Sequence, residues 1–229
     1  MSAASTYAIA SPPPYDSPYD TANAGQRIPW FGNDQVDDCV IVARAHHTIR
    51  LDYAYSKPVP SISISDVINE YRAETDRTGT TTIDLGHSLR EWRDSGWTVG
   101  GGALRKIADV YGPYLPTPPN PPPNYPDSQM APAQIMNGIY QYSGAHVQLL
   151  LPQSIDSSAP DSYGNQILWS DTSGFPARAH AMLLTGYDHN GPIGLTWGVR
   201  QHMTWEFLHR YCSYPLLTGI FFVIRGETT

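Results

Sequence analysis

Proline sets the outer limits on what this chain can fold into. Of its 21 prolines, five fall in residues 12–29 (Pro12, Pro13, Pro14, Pro18, Pro29) and nine in residues 113–132. Proline fixes φ and lacks an N–H, so neither stretch can supply a helix interior or a central strand. Residues 1–29 are therefore expected to form an extended Pro/Tyr-rich arm. Residues 113–132 are expected to form a polyproline-II-like strap on the surface. Regular structure is left to the rest of a domain spanning residues 30–229.

Between the proline clusters the apolar period is helical. Val42, Ala45, Ile49 and Tyr53 recur at three- and four-residue spacing, which predicts a helix from Cys39 to about residue 55, with Asp37 and Asp38 as N-cap candidates. Residues 65–71 open a second helix, capped at Ser65 or Asp66. Leu85, Leu89 and Trp92 mark a third over residues 84–95. After the strap, Ile135, Ile139 and Tyr142 predict a short helix over 133–142. The pattern then becomes strand-like. Residues 146–151 read as a buried strand, and residues 181–187 and 193–197 as a pair joined across the turn Asp188-His189-Asn190-Gly191. A short helix over 204–211 with Trp205, Leu208 and Tyr211 inward, and a strand over 220–224, complete an α+β fold. Gly100, Gly101 and Gly102 form a loop with no accompanying strand or Lys-Ser/Thr pair, so no phosphate cradle is expected.

Charged residues make up 15% of the chain, the formal net charge is −7, and no Lys/Arg run occurs, which excludes a nucleic-acid partner. The apolar runs are too short to span a bilayer, and the first residues lack the basic and apolar regions of a secretory leader. Two cysteines, Cys39 and Cys212, make no disulfide framework, so a reducing setting is expected: the cytoplasm, or a virion assembled there. The histidines show no metal-ligand spacing, and neither a metal nor another cofactor is expected. Of the adjacent His46 and His47, one is expected to pack and the other to face water.

One pairing carries chemistry. Cys39 opens a helix and His180 opens a buried strand about 140 residues later. A thiolate is the reactive form of cysteine, and a helix N-terminus together with an imidazolium lowers its pKa. Cysteine is also among the most buried residue types, so Cys39 alone is equally at home as a core residue; Cys212 is read that way.

The residues around this pair resemble the papain-like cysteine peptidases. Asn33-Asp34-Gln35-Val36-Asp37-Asp38-Cys39 looks like their active-site loop, with Asn33 six positions before the nucleophile, where the family places an oxyanion donor. His180-Ala181 through Gly186-Tyr187 resembles the family's histidine strand, and Thr196-Trp197-Gly198 the end of its Asn-Ser-Trp-Gly turn. More closely, the chain resembles a bacterial and phage group within that superfamily. That group pairs N-D-x-x-x-D-C with H-A-x-x-x-x-G-Y-D, T-W-G and M-T-W-x-F, the last matching residues 203–207. The resemblance implies a two-lobed papain-like fold, with a central Cys-bearing helix and a C-terminal antiparallel sheet. It departs in two places. Leu195 stands where the family's imidazole-orienting Asn falls, leaving Asp188 or Thr196 to rebuild that role. Asp37 replaces a residue normally Gly, and its charge opposes thiolate formation.

Two functions are therefore expected. In the first, the protein is a thiol hydrolase for a peptide or amide bond, active or degenerate, with Cys39, His180, Asn33 and Thr196 as its site. In the second, it is a non-catalytic structural protein on the same scaffold, such as a phage capsid or tail component, meeting protein neighbours through residues 1–29 and 113–132.

Overall fold

The computed structural model describes residues 13–33, 36–100, 102–116, 129–155, 167–213 and 218–228. In chain order the elements are β1 (Tyr15–Asp16), α1 (Pro18–Ala22), α2 (Cys39–Ala54), α3 (Ile64–Thr78), α4 (Leu85–Asp94), β2 (Trp97–Val99), β3 (Ala103–Pro116), β4 (Gln129–Met130), α5 (Pro132–Gln141), β5 (Ala145–Pro152), β6 (Pro176–Tyr187), β7 (Pro192–Thr196), β8 (Val199–His202), α6 (Trp205–Tyr211) and β9 (Gly219–Thr228). Local chemistry sets the helix starts. Ser63 and Asp66 close a reciprocal capping box on α3, and the Asp84 and Thr204 side chains accept from the N–H groups of His87 and Phe207.

One mixed sheet runs in the order β2-β3-β9-β5-β6-β7-β8, with β1 added to β6 and β4 to β3. Every pairing is antiparallel except β3 with β4. The last strand, β9, sits between β3 and β5 and so joins the two halves of the chain. Its alternation divides the core. Phe221 and Val223 pack with α2 and α4 on one face, while Ile220 and Phe222 pack with α5 and α6 on the other. The same alternation puts Ala181 on the first face and Met182 and Leu184 on the second.

Helix α2 is buried around its whole circumference, from Val40 to Asp52. That demands a partner for every charge it carries. Arg44 ion-pairs with Glu74 and donates to Ser88 at 3.0 Å, with its guanidinium 5.5 and 5.3 Å from the Trp92 and Trp97 rings. Asp52 meets Arg105 at 3.3 Å and Arg225 at 3.1 Å. Arg50 pairs with Asp20 of α1 and lies 5.0 Å from the Tyr19 ring.

This last contact corrects the extended arm expected over residues 1–29. Pro18 occupies the first turn of α1, where its missing N–H is one of the helix's free donors in any case. Tyr15 and Asp16 meanwhile pair with Tyr187 and Gly186. Residues 1–12 lie outside the described residues, as does the middle of the strap, 117–128. The strap's ends are strand: Pro113 and Pro116 close β3, and Met130 belongs to β4. His46 and His47 also depart from expectation, because both are buried. His47 shares a hydrogen bond with His146 at 2.9 Å and another with the Tyr142 carbonyl at 3.0 Å.

Candidate active site

The Cys39 sulfur reaches the edge of β6 from the α2 side. The N–H of Ala181 points at it, with 3.4 Å between nitrogen and sulfur. The ladder between β6 and β7 runs from the turn only as far as Leu183 opposite Leu195, so the edge beyond it is open to the helix terminus. This seats the thiol at the peptide that joins His180 to Ala181, the latter 142 positions further along the chain.

His180 belongs to the opposite face by alternation, opposite Leu149 of β5. Its Nε2 lies 2.6 Å from the Thr196 hydroxyl, and its ring stacks on Trp197 with centroids 4.4 Å apart and planes at 28°. Trp197 and Gly198 form a two-residue turn between β7 and β8 with φ of 45° and 71°. Such paired positive φ values define the mirror-image hairpin turns that suit sheet twist and favour glycine. A tryptophan there carries a strain of about 1–2 kcal/mol, which burial and stacking on the imidazole offset. The Thr-Trp-Gly motif thus has a physical basis: Thr holds the imidazole edge, Trp covers its face, and Gly makes the turn.

A second turn of the same kind precedes Asn33. Phe31 and Gly32 have φ of 55° and 94°, and the Asn33 N–H donates to the Trp30 carbonyl at 3.1 Å. The two turns abut, since a Cβ on Gly198 would collide with the Trp30 indole. The Asn33 carboxamide donates to Asp38 Oδ1 at 3.0 Å. Asp38 stands at the N-cap position of α2, yet its side chain makes no capping hydrogen bond. Asp37 is exposed. Asp188, the alternative to Thr196 for orienting His180, is occupied elsewhere. It accepts from the N–H groups of Asn190 at 2.7 Å and Gly191 at 3.2 Å, and faces His202 Nδ1 at 3.2 Å.

Electrostatics hold the pair neutral at rest. Burial pushes the Cys39 thiol up to about 12, with the Asp37 and Asp38 charges adding to it, although the N–H groups of Ala181 and Val40 oppose the shift. Burial, with the Arg178 charge, brings His180 down to about 3. The lowering of the thiol expected from a helix terminus and an imidazolium is therefore reversed: desolvation of the thiolate outweighs the backbone N–H groups, and a neutral His180 supplies no imidazolium. Cys212 is fully buried and its thiol is also raised. The Thr196 contact was open in the sequence against Asp188, and the Asn33–Asp38 link had no sequence signal beyond proximity. Among the described residues no three His, Cys, Asp or Glu side chains are grouped to hold a metal, and no helix is long and apolar enough to cross a membrane.

The mixed helices and largely antiparallel sheet make an α+β fold of the papain-like type. Among solved structures it is similar to xylellain, a cysteine protease from Xylella fastidiosa, with a TM-score of 0.60 and 13% identity, covering 95% of this chain and 88% of that one. No protein-family model matches the chain, and no curated protein matches it in sequence.

Proposed function

We propose that this protein is a thiol hydrolase acting on peptide or amide bonds, with Cys39 as nucleophile and His180 as the proton carrier. The observation that supports the reading is the Ala181 N–H on the Cys39 sulfur, which brings the thiol to the peptide that joins His180 to Ala181. Thr196 occupies Nε2, so Nδ1 is the nitrogen left for the thiol proton. For that step Nε2 keeps its hydrogen and Thr196 Oγ accepts it.

From a neutral pair, proton transfer accompanies attack. Sulfur bonds to the substrate carbonyl carbon while its proton passes to Nδ1, and the carbonyl oxygen takes the negative charge, met by the Asn33 amide and the Cys39 N–H. Collapse breaks the C–N bond as His180 returns the proton to the leaving amine. Water then attacks the thioester, giving its proton to His180, and the carboxylic acid leaves as sulfur recovers a proton.

The test is digestion of a mixed peptide library, read by mass spectrometry, beside labelling with a peptidyl vinyl sulfone. New termini that vanish in Cys39→Ala and in His180→Ala, with label on Cys39 and none on Cys212, are expected. Cleavage that survives Cys39→Ala refutes the assignment.

The raised thiol favours a second reading, a non-catalytic scaffold such as a phage virion component assembling through residues 1–29 and the strap. A scaffold needs no thiolate. Under that reading, removing residues 1–12 abolishes assembly seen by light scattering, while Cys39→Ala leaves assembly intact.

A further inference from the structure

Asn33 and Asp38 are linked in a way that neither helix capping nor substrate contact explains. A primary amide can sit in either of two flipped orientations, and only one points its N–H groups where a donor is wanted. The backbone of Asn33 is set by the Phe31-Gly32 turn, but a turn does not choose the flip of the side chain. Asp38 does. Its carboxylate is fully buried and accepts from Asn33 Nδ2 at 3.0 Å. An ionised carboxylate only accepts, so the NH₂ end must face it and the carbonyl end must face away.

Resting on the hydrolase reading, we propose that Asp38 is a positioning residue. It fixes the Asn33 carboxamide with one N–H on Oδ1, and so sets which side the second N–H serves as the oxyanion donor. This has a cost at the neighbouring atom, because the same carboxylate opposes ionisation of Cys39. Orientation of the donor and readiness of the nucleophile are thus set against each other by one side chain. A thiol that ionises only as it attacks tolerates that charge better than one held as a resting thiolate.

The two roles separate by substitution. Asp38→Ala removes both the acceptor and the charge. Asp38→Asn removes the charge but keeps an oxygen able to accept from Asn33. Both variants should ionise Cys39 at lower pH, seen as faster iodoacetamide alkylation. Turnover of the library peptides should fall about tenfold to a hundredfold in Asp38→Ala, with KM little changed, and recover most of the way in Asp38→Asn. Asn33→Ala combined with Asp38→Ala should be no worse than Asn33→Ala alone. In ¹⁵N–¹H spectra the Asn33 side-chain amide pair, assigned by its loss in Asn33→Ala, should shift and exchange faster with water in Asp38→Ala.

Unchanged Asn33 amide signals in Asp38→Ala, or equal turnover in the Ala and Asn variants, would overturn the positioning role and leave the hydrolase reading standing. Absence of any Cys39-dependent turnover in the unmodified protein would overturn both.

Discussion

Acidification should unfold this protein unusually early, because four histidines are buried in neutral form. His46, His47, His146 and His180 are each at most 5% exposed. Burial brings His46 and His180 down to about 3 and His47 to about 4, and holds His146 well below its ordinary 6.5. For the facing pair His47 and His146, one ring nitrogen must donate and the other accept, and a proton on the accepting nitrogen would set two N–H groups against each other. The folded pKa values lie below the unfolded ones, so the unfolded chain binds more protons as pH drops. Stability is full above about pH 6.5 and is lost as pH falls toward 3–4. At about pH 5, each unfolded histidine gains roughly 2 kcal/mol from protonation, so four remove roughly 8 kcal/mol. Typical domains have only about 5–15 kcal/mol in total. Urea unfolding followed by tryptophan fluorescence, at steps from about pH 7.5 to about pH 5, reads the loss directly. Its slope should approach about 5 kcal/mol per pH unit at the lower end. A stability change below about 2 kcal/mol over this range would show that these rings protonate in the folded protein, and the burial reasoning would fail.

Two further outcomes follow from single contacts. Arg44→Met leaves the buried Glu74 carboxylate with the Ser88 hydroxyl but no cation and should cost about 3–5 kcal/mol in urea unfolding, whereas Arg44→Met with Glu74→Leu should regain most of that loss. Thr196→Val leaves a buried Nε2–H without its acceptor and should lower Cys39-dependent turnover about fivefold to a hundredfold, while Thr196→Asn, which offers a carbonyl, should lose less.

Much of the frame is set by local chemistry, and that part could be read from the chain. Cys39 heads its helix because a run with helical period begins there, and the Asp188 to Gly191 turn joins β6 to β7 because that sequence favours it. The helix starts at Asp84 and Thr204 rest on caps within four residues, whereas α3 begins before the expected cap at Ser65 or Asp66: Ser63 is its N-cap and Asp66 the third helical residue that closes the box. Strand β3 was not legible. Its register shifts and its Gly112-Pro113 pair hide the two-residue period, and it is a strand because β9 pairs with it from the other end of the chain.

The site divides in the same way. Residue types and their order singled out Cys39 and His180 as a candidate pair, and the family resemblance added Asn33. Which of Thr196 and Asp188 meets the imidazole was decided by the hairpin: Asp188 folds back on its own turn, and the open end of β7 carries Thr196 to Nε2. That His46 and His47 are both interior, and that Arg44 and Arg50 lie in a helix with no solvent face, also came from tertiary packing. Sequence alone fixes what a residue offers to its near neighbours. Burial and charge state depend on what the distant parts of the chain bring against it, and here they turn an expected ion pair into a neutral thiol and imidazole.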